Sequence, residues 1–264
     1  MYYSQQRLPF TLVVPTIYGV MLVHRYDDQQ TNPLAKRGIA VAHSEIVLLA
    51  RLLRECDPNP IVVDVGANVG TYSLALSHVV VPKGKIHAFE PQRIIFNMLA
   101  GSIALNSITN VYCYNQAIGD TEGLIEIPQF DYNQPLNFGS VEFGPSQVEQ
   151  LSQSRKYDPE SVEHVPITTI DRFDWKRVDL LKVDVEGMEV QAILGAHRTI
   201  QQCRPLLYVE FVKSDVDRLR YLIADFQYEL FEIGFNYLAV ARERIHMMHV
   251  VERICRETTS ALHK

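Results

Sequence analysis

The sequence predicts an α/β protein in which a doubly wound, mostly parallel sheet carries helices on both faces. Three observations lead there. Short apolar runs bounded by turn residues alternate with stretches of helical periodicity, giving strands at 61–65, 85–90 and 111–116 and helices at 70–79 and 92–105 between them. The run Ile61 to Val65 is long enough for a buried parallel strand, and Gly66 and Gly70 bracket a tight turn into Tyr72, Leu74, Ala75 and Leu76. Glu90 then ends the second strand. In doubly wound folds an acidic residue at that place binds the ribose hydroxyls of an adenosine-containing cofactor, while the glycine turn lets the backbone come close to it.

The remaining elements follow in order. Leu8 to Val23 is apolar, but Pro9, Pro15 and Gly19 break any helix, so two β-strands turning near Tyr18 and Gly19 are expected rather than a leader or a membrane span. A polar stretch, 27–38, precedes a helix over 44–56 with Ile46, Leu49, Leu52 and Leu53 on one face, stopped by Asp57, Pro58, Asn59 and Pro60. Beyond the third strand, 119–127 reads as a short added strand, and 128–164 breaks the rhythm. That segment mixes Pro, Gln, Ser and Asn with Phe130, Tyr132, Phe138, Phe143 and Tyr157, and its aromatics favour a substrate-covering lid over a floppy linker. The core resumes with a strand at 180–185, a helix at 189–202 turning Val190, Ile193, Leu194 and Ile200 inward, a strand at 206–212, a helix at 215–225 and a strand pair at 228–233 and 237–241. Residues 243–262 place Ile245, Met248, Val251, Ile254 and Cys255 at helical spacing, a surface helix and a candidate homo-oligomer contact. The reading is one domain, 1–264: N-terminal extension 1–57, cofactor-binding half 58–127, lid 128–164, second half of the sheet 165–241 and C-terminal helix 242–264.

Composition narrows the function classes. A hydrophobic fraction of 47% with 21% charged residues is ordinary for a protein with a sizeable core, and a net charge of −6 gives no electrostatic footprint for nucleic acid. Cys56, Cys113, Cys203 and Cys255 stand far apart without a C-x-x-C pair, so neither a zinc site nor a disulfide framework is indicated, and a reducing, cytoplasmic setting with a small-molecule substrate is expected.

Asp64 decides between cofactors. A dinucleotide fingerprint, G-x-G-x-x-G, would need glycine where this chain has Asp64 and Val69. A carboxylate at the mouth of the turn repels phosphate and attracts a cationic ligand such as the ammonium and sulfonium groups of S-adenosylmethionine. The bland reading makes Asp64 a helix cap at a plain strand-to-helix turn.

The order of motifs extends the case: D-V-G-A-N-V-G at 64–70, F-E-P at 89–91, N-Q-A-I-G-D at 115–120, T-T-I-D at 168–171, K-V-D-V-E-G-M-E at 182–189 and L-G-A at 194–196. From about Ile61 to about Val212 the chain resembles the FkbM family of class I S-adenosylmethionine-dependent methyltransferases. The resemblance implies a Rossmann-like class I methyltransferase sheet, mostly parallel with an antiparallel terminal strand, behind an N-terminal β-hairpin and helix extension. It implies methyl transfer to a hydroxyl of a sugar or secondary metabolite. Gly66, Ala67, Asn68, Gly70, Glu90 and Pro91 would meet the cofactor, with Asn68 at its amino-acid end. Ala117 would lie by the adenine, where Asp120 reaches the exocyclic amine.

In an open α/β sheet the ligand lies at the carboxyl ends of the strands. If the strand of Asp184 neighbours that of Asp64, as the resemblance implies, Asp184 faces both the cofactor and the transferring methyl group, and Lys182, Asp184 and Glu186 share one side. A lysine in an apolar strand needs a carboxylate partner, for which Asp184 is nearest in sequence. Lys182, Asp184 and Glu186 are the catalytic candidates, to align the acceptor and remove its proton; alternatively they form a buried ion-pair network that only holds the strand and the next helix. Asp184, Glu186 and Glu210 also offer three oxygen ligands, suited to magnesium or calcium rather than zinc, a metal that nothing else in the sequence supports. His87 and His164 lack triad or metal spacing and read as satisfied polar residues. N-methylation, a nicotinamide-dependent oxidoreductase and a non-catalytic scaffold on the same fold are the competing readings.

Overall fold

The computed structural model describes residues 8–27, 29–56, 58–143 and 162–261. Strands β1 (Thr11–Thr16) and β2 (Gly19–His24) form the expected hairpin, in register from Thr11 opposite His24 to Thr16 opposite Gly19. The stretch expected to be loop contains a short helix, α1 (Thr31–Arg37), closed by Gly38 in the left-handed region at φ 66°. It buries only Thr31 and Leu34, too few positions to show a period. Helix α2 (His43–Arg54) turns Ile46, Leu48, Leu49, Leu52 and Leu53 inward, as its spacing predicts.

The core then alternates: β3 (Ile61–Val65), α3 (Thr71–Ser77), β4 (Lys85–Phe89), α4 (Arg93–Leu105) and β5 (Val111–Tyr114). After β6 (Ala117–Ile118) and β7 (Gly123–Pro128) comes β8 (Val162–Thr168), then β9 (Leu180–Val183), α5 (Glu189–Leu194), α6 (His197–Cys203), β10 (Leu206–Glu210), α7 (Val216–Asp225), β11 (Tyr228–Ile233), β12 (Asn236–Ala241) and α8 (Ile245–Ala261). Seven strands form one sheet in the order β11-β12-β10-β9-β3-β4-β5, in which β12 alone runs antiparallel. This is the predicted doubly wound α/β fold with its antiparallel terminal strand.

Alternation along the strands explains the double winding. Val62, Leu180, Leu206 and Tyr208 belong to one apolar cluster, with α2, α3, α4 and the hairpin; Val63, Val65, Leu181, Val183, Leu207 and Val209 belong to another, with α5 and α7. Successive side chains of a strand point to opposite faces, so both faces need helices. The hairpin is tied to α4: the Val20 and Leu22 amides donate to Asn106 Oδ1 and Ser102 Oγ, each at 2.9 Å, which satisfies an otherwise open strand edge.

Three expectations are corrected. Residues 117–128 and 162–168 build a separate three-stranded sheet, order β6-β8-β7, so 162–164 is strand rather than lid and 165–168 lies outside the main sheet. The helix expected over 189–202 is two helices. It breaks at Gly195, where a Cβ would stand 1.8 Å from the Gly119 carbonyl oxygen: the chain must pass against the small sheet there. Helix α8 turns Met247, Val250, Val251 and Ile254 into the core cluster that also holds α2, while Ile245, expected on its apolar face, is exposed. No helix among the described residues is long and apolar enough to cross a membrane. Of the lid, 129–143 is described, and Tyr157 lies outside the described residues.

Candidate functional site

The carboxyl ends of four adjacent strands, β4, β3, β9 and β10, set Glu90, Gly66, Asp184 and Glu210 side by side in that order. Above them opens a cavity of about 430 Å³, within the roughly 300–1,000 Å³ of small-molecule sites. Gly66, Asn68, Glu90, Pro91, Gln92, Asp184, Glu186 and Glu210 line it from below, Gln29, Gln30 and Val41 from the extension, and Asn137, Gly139, Ser140, Val141 and Phe143 from above. The covering segment is tied down at both sides: Gln92 Nε2 donates to the Phe138 carbonyl at 2.7 Å and Lys213 Nζ to that of Ser140 at 3.1 Å.

Gly66 makes the turn possible. Its φ is 75°, and a Cβ would fall 1.7 Å from the Asp184 carbonyl oxygen, so no other residue fits between β3 and β9. Gly66→Ala is expected to unfold the turn, with a loss of several kcal/mol in chemical denaturation; retention of parental stability would show that the close approach is not required. Gly70, at φ 90°, caps α3 against Leu99 and does not line the cavity.

Glu90 is 4% exposed and lines the cavity. Its two oxygens accept from the Asn68 amide at 3.0 Å and the Gln92 amide at 2.8 Å. Burial nevertheless pushes its carboxyl up to about 7, because two amide donors do not replace water around a carboxylate. Asn68, at φ 51°, presents its side chain to the cavity under Gly139. Ala117 and Pro91 border a small apolar slot with Phe89, Ile118, Val185 and Met188, next to Gly66.

Other residues stand elsewhere than the sequence suggested. Asp64 is 1% exposed and lines neither this cavity nor the smaller chamber beside it. It pairs with Lys182 Nζ at 3.3 Å and accepts from Ser73 Oγ at 2.7 Å, so its charge is met inside the protein and is not open to a cationic ligand. The reason is register: Asp64 lies directly opposite Lys182 across β3 and β9. Lys182 therefore has two carboxylate partners, Asp64 and Asp184, the latter at 3.4 Å. Burial opposes its charge, but Asp184 and Asp64 outweigh that and hold Lys182 above the usual lysine range, so it is a fixed cation and no base. Asp120 is exposed and borders none of these spaces, so the adenine role expected for it does not match its position. His164 is exposed on β8, 3.7 Å from Glu126, and His87 is packed between Tyr112 and Trp175 with burial pushing it down to about 4.

Glu186 does not share the strand's side with Lys182 and Asp184. The strand ends at Val183, and Glu186 and Gly187 turn through the left-handed region, at φ 54° and 101°, which swings Glu186 to Lys213 at 2.5 Å. Burial and the neighbouring Asp184 carboxylate push Glu186 up to about 7 despite that lysine. Burial, Asp184 and Glu186 push Glu210 up to about 8. Asp184, Glu186 and Glu210 each offer an oxygen within 4.8 Å of the others, an oxygen-only set that suits magnesium or calcium.

Sequence reasoning missed two acidic residues. Glu189, 1% exposed, accepts from the Val185 and Gly187 amides and from Ser214, and so fixes the left-handed turn; the last glutamate of K-V-D-V-E-G-M-E was the available signal. Glu45, on α2, gathers Tyr72 and Tyr208 hydroxyls at 2.7 Å and Asn236 Nδ2 at 3.3 Å, partners far away in sequence.

Residues 64–230 match the model of the methyltransferase FkbM domain. Methyltransferase sdnD of Sordaria araneosa is 30% identical over 162 residues, 52% of this chain and 60% of the relative, and Methyltransferase 1 of Beauveria bassiana is 28% identical over 176 residues, 62% and 70%. The chain thus spans less than two thirds of the former. Among solved structures, methyltransferase FkbM from Methylobacillus flagellatus aligns with TM-score 0.48 and 20% identity over 69% of this chain and 44% of that one. With more than half of its length matched and both signature segments at the strand ends, the chain belongs to the FkbM methyltransferase family.

Proposed function

We infer that the protein transfers a methyl group from S-adenosylmethionine to a hydroxyl of a sugar or other secondary metabolite. The observation that carries this reading is Glu90: a buried carboxylate at the end of β4, lining a cavity, held by two backbone amides beside a glycine turn. Such a group binds a pair of ribose hydroxyls. The residues fit the cofactor. Gly66 lets the backbone approach and Asn68 presents an amide to the cavity that Glu90 lines. When bound, S-adenosylmethionine supplies an electrophilic methyl group on a sulfonium sulfur.

The protein's own work is alignment and proton removal. Asp184 borders both the large cavity and the chamber beside it, which supports a role for it between cofactor and acceptor. Lys182 holds it in position and cannot itself take a proton. The acceptor's proton would pass to a carboxylate at the ends of β9 and β10, where Asp184, Glu186 and Glu210 stand together. The raised values of Glu186 and Glu210 suit that task better than an ordinary carboxylate. N-methylation would use the same pocket. The departure from G-x-G-x-x-G weighs against a nicotinamide enzyme, and the complete set of strand-end residues weighs against a scaffold.

Thermal denaturation with S-adenosylmethionine, S-adenosylhomocysteine and NAD in parallel tests the reading. A sulfur cofactor at about 100 times its dissociation constant should add about 2.7 kcal/mol, and NAD nothing. Stabilisation by NAD alone would overturn it; binding without turnover on pooled hydroxylated and aminated acceptors would leave the scaffold.

A further inference from the structure

A second chamber, of about 190 Å³, adjoins the large cavity and shares Gly66, Asn68, Asp184 and Glu210 with it. Its own walls come from α2, α3 and β12: Glu45, Tyr72 and Asn236. Since Glu90 marks one end of the row of strand termini and Glu210 the other, a cofactor anchored at Glu90 has this chamber at its far side, across Asp184.

We propose, building on the methyl-transfer reading above, that this chamber seats the methyl acceptor, that it takes an uncharged polyhydroxylated group, and that Glu45 is the residue that orients it. The lining is rich in hydrogen-bond acceptors. Glu45 receives Tyr72, Tyr208 and Asn236 all on Oε2, so Oε1 accepts no hydrogen bond among the described residues. Asp184 and Glu210 add further carboxylate oxygens to the same walls. Glu45 and Asp184 against the Lys182 ammonium leave the lining negative, which repels a carboxylate or phosphate acceptor. Lys182, 4.8 Å from the centre of the Tyr72 ring, pairs with Asp184 and so takes up much of the negative charge that would otherwise draw a cationic acceptor. Hydroxyl groups, which donate without carrying charge, satisfy these oxygens. The two tyrosines and Asn236 fix the Glu45 carboxylate in one orientation, so it selects by geometry as well as by polarity.

The test uses the full chain saturated with S-adenosylhomocysteine, and methyl α-glucopyranoside as probe, with its 6-carboxylate and its 2-amino analogue beside it, read by ligand-observed NMR titration. The neutral glycoside should bind and the carboxylate should not. Glu45→Gln, which keeps an oxygen for the tyrosines, should weaken the neutral probe about tenfold while leaving S-adenosylhomocysteine affinity unchanged. Ala42→Phe, at the chamber wall and partly exposed, should block the probe without touching the buried network. No saturable binding of the neutral glycoside to the parent, equal binding by Ala42→Phe, or a stronger Glu45-dependent response to the amino sugar would overturn the proposal. So would weakened S-adenosylhomocysteine binding in both variants, which would give the chamber to the cofactor. Failure of the parent to bind S-adenosylhomocysteine at all would count against the cofactor reading instead.

Discussion

Lys182→Met should cost roughly 3–5 kcal/mol of folding stability, on the order of 10 °C in melting temperature for a chain of this size. Lys182 is 3% exposed between Asp64 and Asp184, and removing its ammonium leaves Asp64, 1% exposed, with Ser73 as its remaining partner. Breaking one side of a buried pair is far more costly than removing both charges. The double variant Asp64→Asn, Lys182→Met should therefore recover most of the loss, and urea denaturation of the parent, both single variants and the double variant measures the coupling. A Lys182→Met protein as stable as the parent but inactive would refute the structural role and return the lysine to the chemistry.

Glu90→Gln should separate binding from stability. The folded-state carboxyl sits at about 7 against an ordinary 4.5, so between those values the folded protein holds a proton that the unfolded chain has released. Stability from this group accordingly falls as pH rises through that window, by about 3 kcal/mol once both states are ionised. Glutamine carries no such charge. The variant should match the parent at pH 5, exceed it by about 1–3 kcal/mol at pH 8, and show no stabilisation by S-adenosylhomocysteine at either pH. Because Glu186 and Glu210 shift in the same direction, the difference between parent and variant across pH is the quantity to measure. A difference that stays flat from pH 5 to 8, or ligand stabilisation that survives the substitution, would refute the assignment.

The parts of the fold that were legible in the sequence are those whose cause is local. Apolar runs such as Ile61–Val65 and 206–212 announce buried strands, and the periodicity of 44–56 announces α2, because burial alone fixes those patterns. What escaped depends on distant partners. β8 exists because β6 and β7 pair with it across the long intervening segment, and the break at Gly195 exists because Gly119 lies against it. The site divides in the same way. Glu90, Gly66 and Asn68 announce themselves through spacing, since a glycine turn and an acid at a strand end are one short motif. Asp64 is different. Its sequence position suggested a ligand, whereas its cross-strand neighbour Lys182 claims it. Glu45 looked like any polar residue on an amphipathic helix, since Tyr208 and Asn236 reach it only in the folded sheet.

The pairing of Asp64 with Lys182 bears on how this family can be recombined. Segments 61–70 and 180–187 lie more than a hundred positions apart, yet their opposite charges share one rung of the β3–β9 ladder and Gly66 rests on the Asp184 carbonyl. A crossover between relatives that differ at either segment transmits half of a buried pair and half of a close contact. Only exchanges that carry both segments together, or neither, preserve the inheritance unit that the fold has made of them.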